Sequence, residues 1–406
     1  MAARRFAFAL LLFAGLFATG AAQERPAAPP LLKSETTPAR NLKVFEALWK
    51  RVNESYFDPR FNGADWGKLR EVYRPKAQGA QTLEGLERVL EELLGELKTS
   101  HLSLRRAVKQ GAISSRVGQK FKRGQSALLS TGIGFDKMED QWVVTTVREA
   151  SPAAAAGVKI GWLVVRLNGQ PVETAEVEPI EGQTLRFGLV DETGTARDLD
   201  LPFQWFAEMP DRESRRLDEK LAYLRFGEFE EDVDRWLAGE LTQYRDARAL
   251  ILDLRGNTGG WLDQMEKCLA LFFPGPVTYG SFIKRNGEES RLSINGAGPQ
   301  AFAGRLIVLV DAGAASCAEI FAAAIQETGR GRLLGQPTSG QVLPSLQYKL
   351  PEGFRLTVPY MDFQTARGRR LEGTGVRPDL ATPTRTIADL RRQHDPTLQA
   401  AIALFK

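Results

Sequence analysis

Two apolar runs in the second half of this 406-residue chain, RALILDLR and RLIVLVDAG, each break at a turn of small residues and resume as helix-patterned stretches, GGWLDQMEKCLALFF and CAEIFAAAIQETG. A continuous apolar run reads as a strand buried on both faces. Strands that alternate with helices imply an α/β layer in which the loops at the strands' carboxyl ends are free for chemistry. The chain therefore directs attention to the turns after Asp253 and after Val310.

The second turn places Ser316 immediately before a helix expected to begin at Cys317. One reading is an ordinary N-cap serine. The other is a nucleophile, because free N–H groups and the positive end of the helix dipole would stabilise an oxyanion there. The G-x-S-x-G elbow is absent, since Ala314 and Ala318 occupy its glycine places. Cys317 reads as a small buried cysteine. In LDLRGNTGGWLD, Gly259 and Gly260 form either a plain connection or the donor side of an oxyanion hole. Asp253, inside an apolar run, needs a partner, and Arg255 is a candidate.

A hydroxyl becomes a useful nucleophile only when a base takes its proton. The chain has two histidines. His394 lies among charged residues in RRQHDPTLQ and reads as a surface group. His101, in KTSHLSL, follows a helix expected after Thr82 with Leu83, Leu86, Leu90, Leu93 and Leu97 on one face. It reads either as a cation at a helix C-terminus or as a base oriented by Ser100. As a base, it would make activity climb as pH rises through roughly 6.5. The two cysteines, Cys268 and Cys317, and the two histidines are too dispersed for a metal site, and nothing resembles a nucleotide-binding loop. No cofactor is expected. Two cysteines also argue against a disulfide scaffold.

The N-terminus, MAARRFAFALLLFAGLFATGAAQ, has the basic start, short apolar core and small-residue end of a secretory signal peptide cleaved after Ala22. An exported protein is expected, with a gram-negative periplasm as its home and no membrane span in the mature chain. A net charge of +4 spread among nearly equal acids and bases speaks against nucleic-acid binding. After a Pro- and Ala-rich linker, Leu42, Phe45, Trp49, Val52 and Tyr56 recur at helical spacing. From about 127 to 204 short β-type runs prevail, opening with STGIGF, where alternating glycines could turn N–H groups toward an anion such as a chain-terminal carboxylate.

Taken together, GIGF…SPAAAAGVKIGWLVVRLNGQPV resembles a PDZ domain, while ILDLRGNTGG, AASCAEIFAAAIQETGRGRLLGQPTSG and LEGTGVRPD resemble the core of the C-terminal processing peptidases. The resemblance implies a crotonase-like α/β peptidase core with an inserted β-rich PDZ domain and an N-terminal helical segment. The expected divisions are 1–22 signal peptide, 23–38 linker, 39–125 helical part, 126–205 PDZ-like domain, 206–385 peptidase core and 386–406 helical tail. By resemblance, Gly132, Ile133, Gly134 and Phe135 would receive a peptide C-terminus. The processing branch uses a lysine base in T-x-G-K-G, but this chain reads TSGQV, with Gln341 in the lysine place. It resembles instead the tricorn-type branch, through TSH and through EGTGVRPD. That implies a tetrad in which Ser316 attacks, His101 takes the proton, Ser100 orients the ring and Glu372 holds Ser100. The N–H groups of Cys317 and of Gly259 or Gly260 would receive the oxyanion. Peptides or protein C-terminal regions are the implied substrates. A peptide-binding pseudopeptidase is the competing expectation, and acyl transfer on small thioesters a third.

Overall fold

The computed structural model describes residues 35–106, 127–175, 177, 179–207 and 211–405. The expected signal peptide and most of the linker lie outside the described residues.

Three helices open the fold. Pro38–Ser55 starts where Thr37 accepts the Arg40 N–H and Pro38 supplies a preset φ. It buries Val44, Phe45, Leu48 and Val52, a face centred beside the expected one, so that Leu42 and Trp49 lie on its flank. Trp66–Gln78, which the sequence reading did not anticipate, contains Pro75 in its last turn and is capped by Asp65. Leu83–Gly95 begins at Thr82, whose hydroxyl accepts the Gly85 N–H, and buries Leu83, Leu86, Leu90, Leu93 and Leu94. These helices share a core with a distant antiparallel sheet ordered Ser103–Arg106, Phe354–Pro359, Ser345–Lys349. Ser103 pairs with Thr357 and Arg106 with Phe354, which stitches the segment just after His101 to a strand far downstream in the chain.

A five-stranded antiparallel path runs Ile133–Met138, Gln141–Val147, Leu163–Leu167, Thr184–Val190, Ala196–Pro202, around its own core of Val144, Val164, Phe187, Leu189 and Leu201. Its entry and exit segments, Ala127–Ser130 and Gln204–Ala207, pair as a two-stranded ribbon.

The largest core belongs to a six-stranded sheet ordered Arg212–Asp218, Leu221–Phe226, Ala249–Asp253, Arg305–Val310, Arg332–Gly335, Leu380–Ala381. All pairs are parallel except the antiparallel edge made by Arg212–Asp218. Leu250, Leu252, Leu306 and Val308 face helices Leu262–Ala270 and Cys317–Glu327. Ile251, Ile307 and Leu309 face the other way, toward helix Pro396–Ala403. Covering both faces is what allows strands without a polar side. The architecture is mixed α/β, as expected.

Candidate active site

Strand Arg305–Val310 ends in a turn whose last residue, Ser316, has φ 55° and ψ −122°. A positive φ in a residue with a Cβ is strained, and such strain persists only where the surroundings over-determine it. Here they do. The Ser316 N–H donates to the Gln341 carbonyl at 2.8 Å and lies 3.2 Å from Glu319 Oε2, while its carbonyl accepts the Glu319 and Ile320 N–H groups. Ser316 is the N-cap residue of helix Cys317–Glu327, and Glu319 reaches back to its N–H as in a capping box, so the helix-head position and the strained backbone meet at one serine.

Gly259 lies directly against it. A methyl group built on Gly259 would stand 2.6 Å from Ser316 Cβ and 3.1 Å from the Cys317 nitrogen, so only glycine fits. Gly260 is equally committed, because a Cβ there would meet the Phe229 carbonyl oxygen at 2.5 Å. The Gly259 N–H is already engaged by Asn257 Oδ1 at 3.0 Å, which narrows the glycine expected as oxyanion donor to Gly260. Among the described residues, the Cys317 and Gly260 N–H groups have no acceptor. Cys317 Sγ–H donates to the Gly260 carbonyl at 3.2 Å, and burial pushes this thiol up to about 12. Both cysteines are unpaired and buried.

A second cluster forms where the helix Leu83–Gly95 gives way to the strand Ser103–Arg106. The Ser100 hydroxyl lies 2.9 Å from Glu372 Oε2 and 2.8 Å from His101 Nδ1, and the Ser100 N–H donates to Glu372 Oε1 at 2.8 Å. The Glu372 carboxylate can only accept, so the hydroxyl donates to it and must itself accept from His101 Nδ1–H. That arrangement leaves the Nε2 lone pair free. Burial lowers the His101 pKa below its ordinary value, with the Glu372 charge working in the opposite direction, so the ring is neutral at pH 7.

No hydrogen bond joins His101 to Ser316 among the described residues. The two clusters are tied through one dipeptide: Gln341 supplies the carbonyl for Ser316, and the Val342 N–H donates to Glu372 Oε2 at 3.2 Å. The Gln341 side chain is exposed. The turn itself is held by a residue the sequence reading overlooked. Glu319, 0% exposed, accepts the Thr338 hydroxyl at 2.5 Å, the Gly340 N–H at 2.7 Å and the Gln341 N–H at 2.8 Å. Burial raises its pKa against these bonds. A carboxylate inside the apolar helix stretch CAEIFAAAI was the available signal.

The remaining expected residues lie apart. Gly132 precedes the edge strand Ile133–Met138, and its N–H already donates to Ser130 Oγ at 3.0 Å, so it is not free to meet an anion. Ile133, Gly134 and Phe135 lie on that strand, and the register slips between Gly134 and Phe135. Asp253, 1% exposed, accepts from Arg255 and from the Tyr223 hydroxyl, and Arg255 reaches on to Asp395. His394 lies beside Asp389 at 2.9 Å in a half-exposed position.

Residues 220–382 match Peptidase family S41, and residues 38–95 match the Tricorn protease C1 domain. A carboxyl-terminal-processing protease of Synechocystis sp. is 26% identical over 89% of this chain and 86% of its own length. The solved photosystem II D1 C-terminal processing protease superposes with a TM-score of 0.59 at 21% identity, covering 84% of this chain and 92% of that one. Mature CPAF complexed with lactacystin gives a TM-score of 0.64 at 11% identity over 90% and 97% of the two chains, a likeness of fold. Together with the two domain matches, the Synechocystis relative marks the chain as a serine-type peptidase carrying a region, residues 220–382, that matches Peptidase family S41.

Proposed function

We propose that this chain is an exported serine endopeptidase that cuts peptides or protein C-terminal regions with a Ser316, His101, Ser100, Glu372 tetrad. The observation that carries the reading is the Ser100 hydroxyl set between Glu372 and His101 Nδ1, in a chain where Gln341 stands in the family's lysine place. In this scheme His101 Nε2 takes the Ser316 Oγ proton as that oxygen attacks the substrate carbonyl. The oxyanion is received by the Cys317 and Gly260 N–H groups at the head of helix Cys317–Glu327. His101 then gives the proton to the leaving amine, and a water molecule repeats the sequence on the acyl-enzyme. In this reading the His101–Ser316 hydrogen bond forms with substrate, since such catalytic bonds often tighten only in the complex.

In the same reading the six-stranded sheet is a crotonase-like core and residues 127–207 are a PDZ-like module. Among the described residues the strand Ile133–Met138 pairs on one side only, which supports addition of a substrate strand along its other edge. Export rests on the N-terminal sequence.

The test is labelling of the mature chain with a fluorophosphonate, followed by peptide mapping. Label on Ser316, absent in Ser316→Ala and strongly slowed in His101→Ala, is the expected outcome. A Ser316 that resists labelling at every pH would favour the pseudopeptidase, and label undiminished in His101→Ala would remove His101 as the base.

A further inference from the structure

Trp261 is 58% exposed, the most exposed large apolar side chain among the described residues. Single exposed apolar residues are common and mean little by themselves. This one differs in its mount and its position. Its N–H donates to the Phe229 carbonyl at 2.8 Å, and its own carbonyl accepts the Met265 N–H at 3.0 Å as helix Leu262–Ala270 begins. Gly260 before it is wedged against Phe229, and Leu262 after it packs on the main core. The backbone is therefore held on both sides while the indole projects away from the core. Among the described residues it has neither a ring partner nor a hydrogen bond.

Its position is set by Gly259, which touches Ser316 Cβ, and by Gly260, whose carbonyl receives the Cys317 thiol. Two peptide units place the Trp261 Cα no more than about 7.6 Å from the Gly259 Cα. A substrate bound in extended form advances about 3.3 Å per residue, so the side chains within two residues of the attacked carbonyl pass through this zone. An indole has only two side-chain torsions to order, and covering it with an apolar group removes water from both surfaces.

We propose that the Trp261 indole forms an apolar wall of the subsite beside the scissile bond, so that the protein selects peptides with a large aliphatic or aromatic side chain within two residues of that bond. The inference rests on Ser316 as the reacting residue and on peptide as the ligand.

The test measures binding separately from hydrolysis. The full mature chain carrying Ser316→Ala is used to capture a degenerate decapeptide mixture, alone and in combination with Trp261→Ala or Trp261→Phe, and the bound peptides are sequenced. Expected is an enrichment of large apolar over alanine residues at one position, at least about tenfold, lost with Trp261→Ala and mostly kept with Trp261→Phe. An unchanged urea-unfolding midpoint for Trp261→Ala separates loss of the subsite from loss of the fold. Enrichment that survives Trp261→Ala, or no apolar enrichment with Trp261 present, overturns the proposal. Trp261-dependent enrichment in a chain whose Ser316 never labels would sustain the subsite and defeat only the hydrolytic reading.

Discussion

The Ser100 hydroxyl can make only one donation, and Glu372 claims it, which decides the tautomer of His101. Ser100→Ala should therefore remove part of the roughly 10²- to 10⁴-fold that a positioned base contributes, as a fall in kcat with little change in KM. Steady-state kinetics on any cleaved peptide would reveal it, and a rise in KM alone would mean that Ser100 serves binding. The burial that lowers the His101 pKa also sets the acid limb of the rate. The base works when neutral, so kcat/KM should rise with pH through a value below 6.5, the ordinary histidine value, and be flat near pH 7. A midpoint above 6.5 would contradict this sign. Gln341 contacts Ser316 through its carbonyl, so Gln341→Ala should label at close to the unsubstituted rate.

Glu319 links two elements, the helix Cys317–Glu327 and the 338–341 turn, through two buried donors, the Thr338 hydroxyl and the Gly340 N–H, and one part-buried donor, the Gln341 N–H. Each buried donor left unpaired costs about 1–3 kcal/mol. Glu319→Ala should lower stability in urea melts by at least about 2 kcal/mol, whereas Glu319→Gln, which keeps one acceptor oxygen, should lose less. Equal, small losses would show that the turn holds without it. The sequence made the strand-to-helix units legible, because apolar runs and small-residue turns are local signals. It did not reveal Trp66–Gln78, where Gly67 and Pro75 weaken the helical pattern and tertiary burial of Trp66, Tyr73 and Ala77 prevails. Glu319 was missed because its donors come from a turn about twenty residues away.

Across the molecule, Arg255 ties the end of a central strand to the C-terminal segment through Asp253 and Asp395. Burial opposes the Asp395 charge, yet the Arg255 bonds carry its pKa below the ordinary carboxylate value. Its contribution is thus complete above about pH 4, the unfolded value, and fades as pH falls through the lowered one. Asp395→Asn should loosen helix Pro396–Ala403 and speed limited proteolysis there while leaving the six-stranded sheet intact; unchanged proteolysis would show that Leu398 and Ala401 suffice to dock it.

The chain by itself determined the alternating strands and helices, the place of Ser316 at a helix head, and the pairing of TSH with EGTGVRPD, because periodicity, punctuation and family motifs are written in short stretches. Tertiary structure alone decided which groups meet. The strand pairing of Ser103 with Thr357 brings the His101 segment to the core, and bonds from Gln341 and Glu319 hold Ser316 at its strained φ. The Asn257 side chain occupies the Gly259 N–H, and packing leaves Trp261 in the open. Contacts between residues hundreds of positions apart depend on how the sheets and helices pack, and no local pattern encodes that.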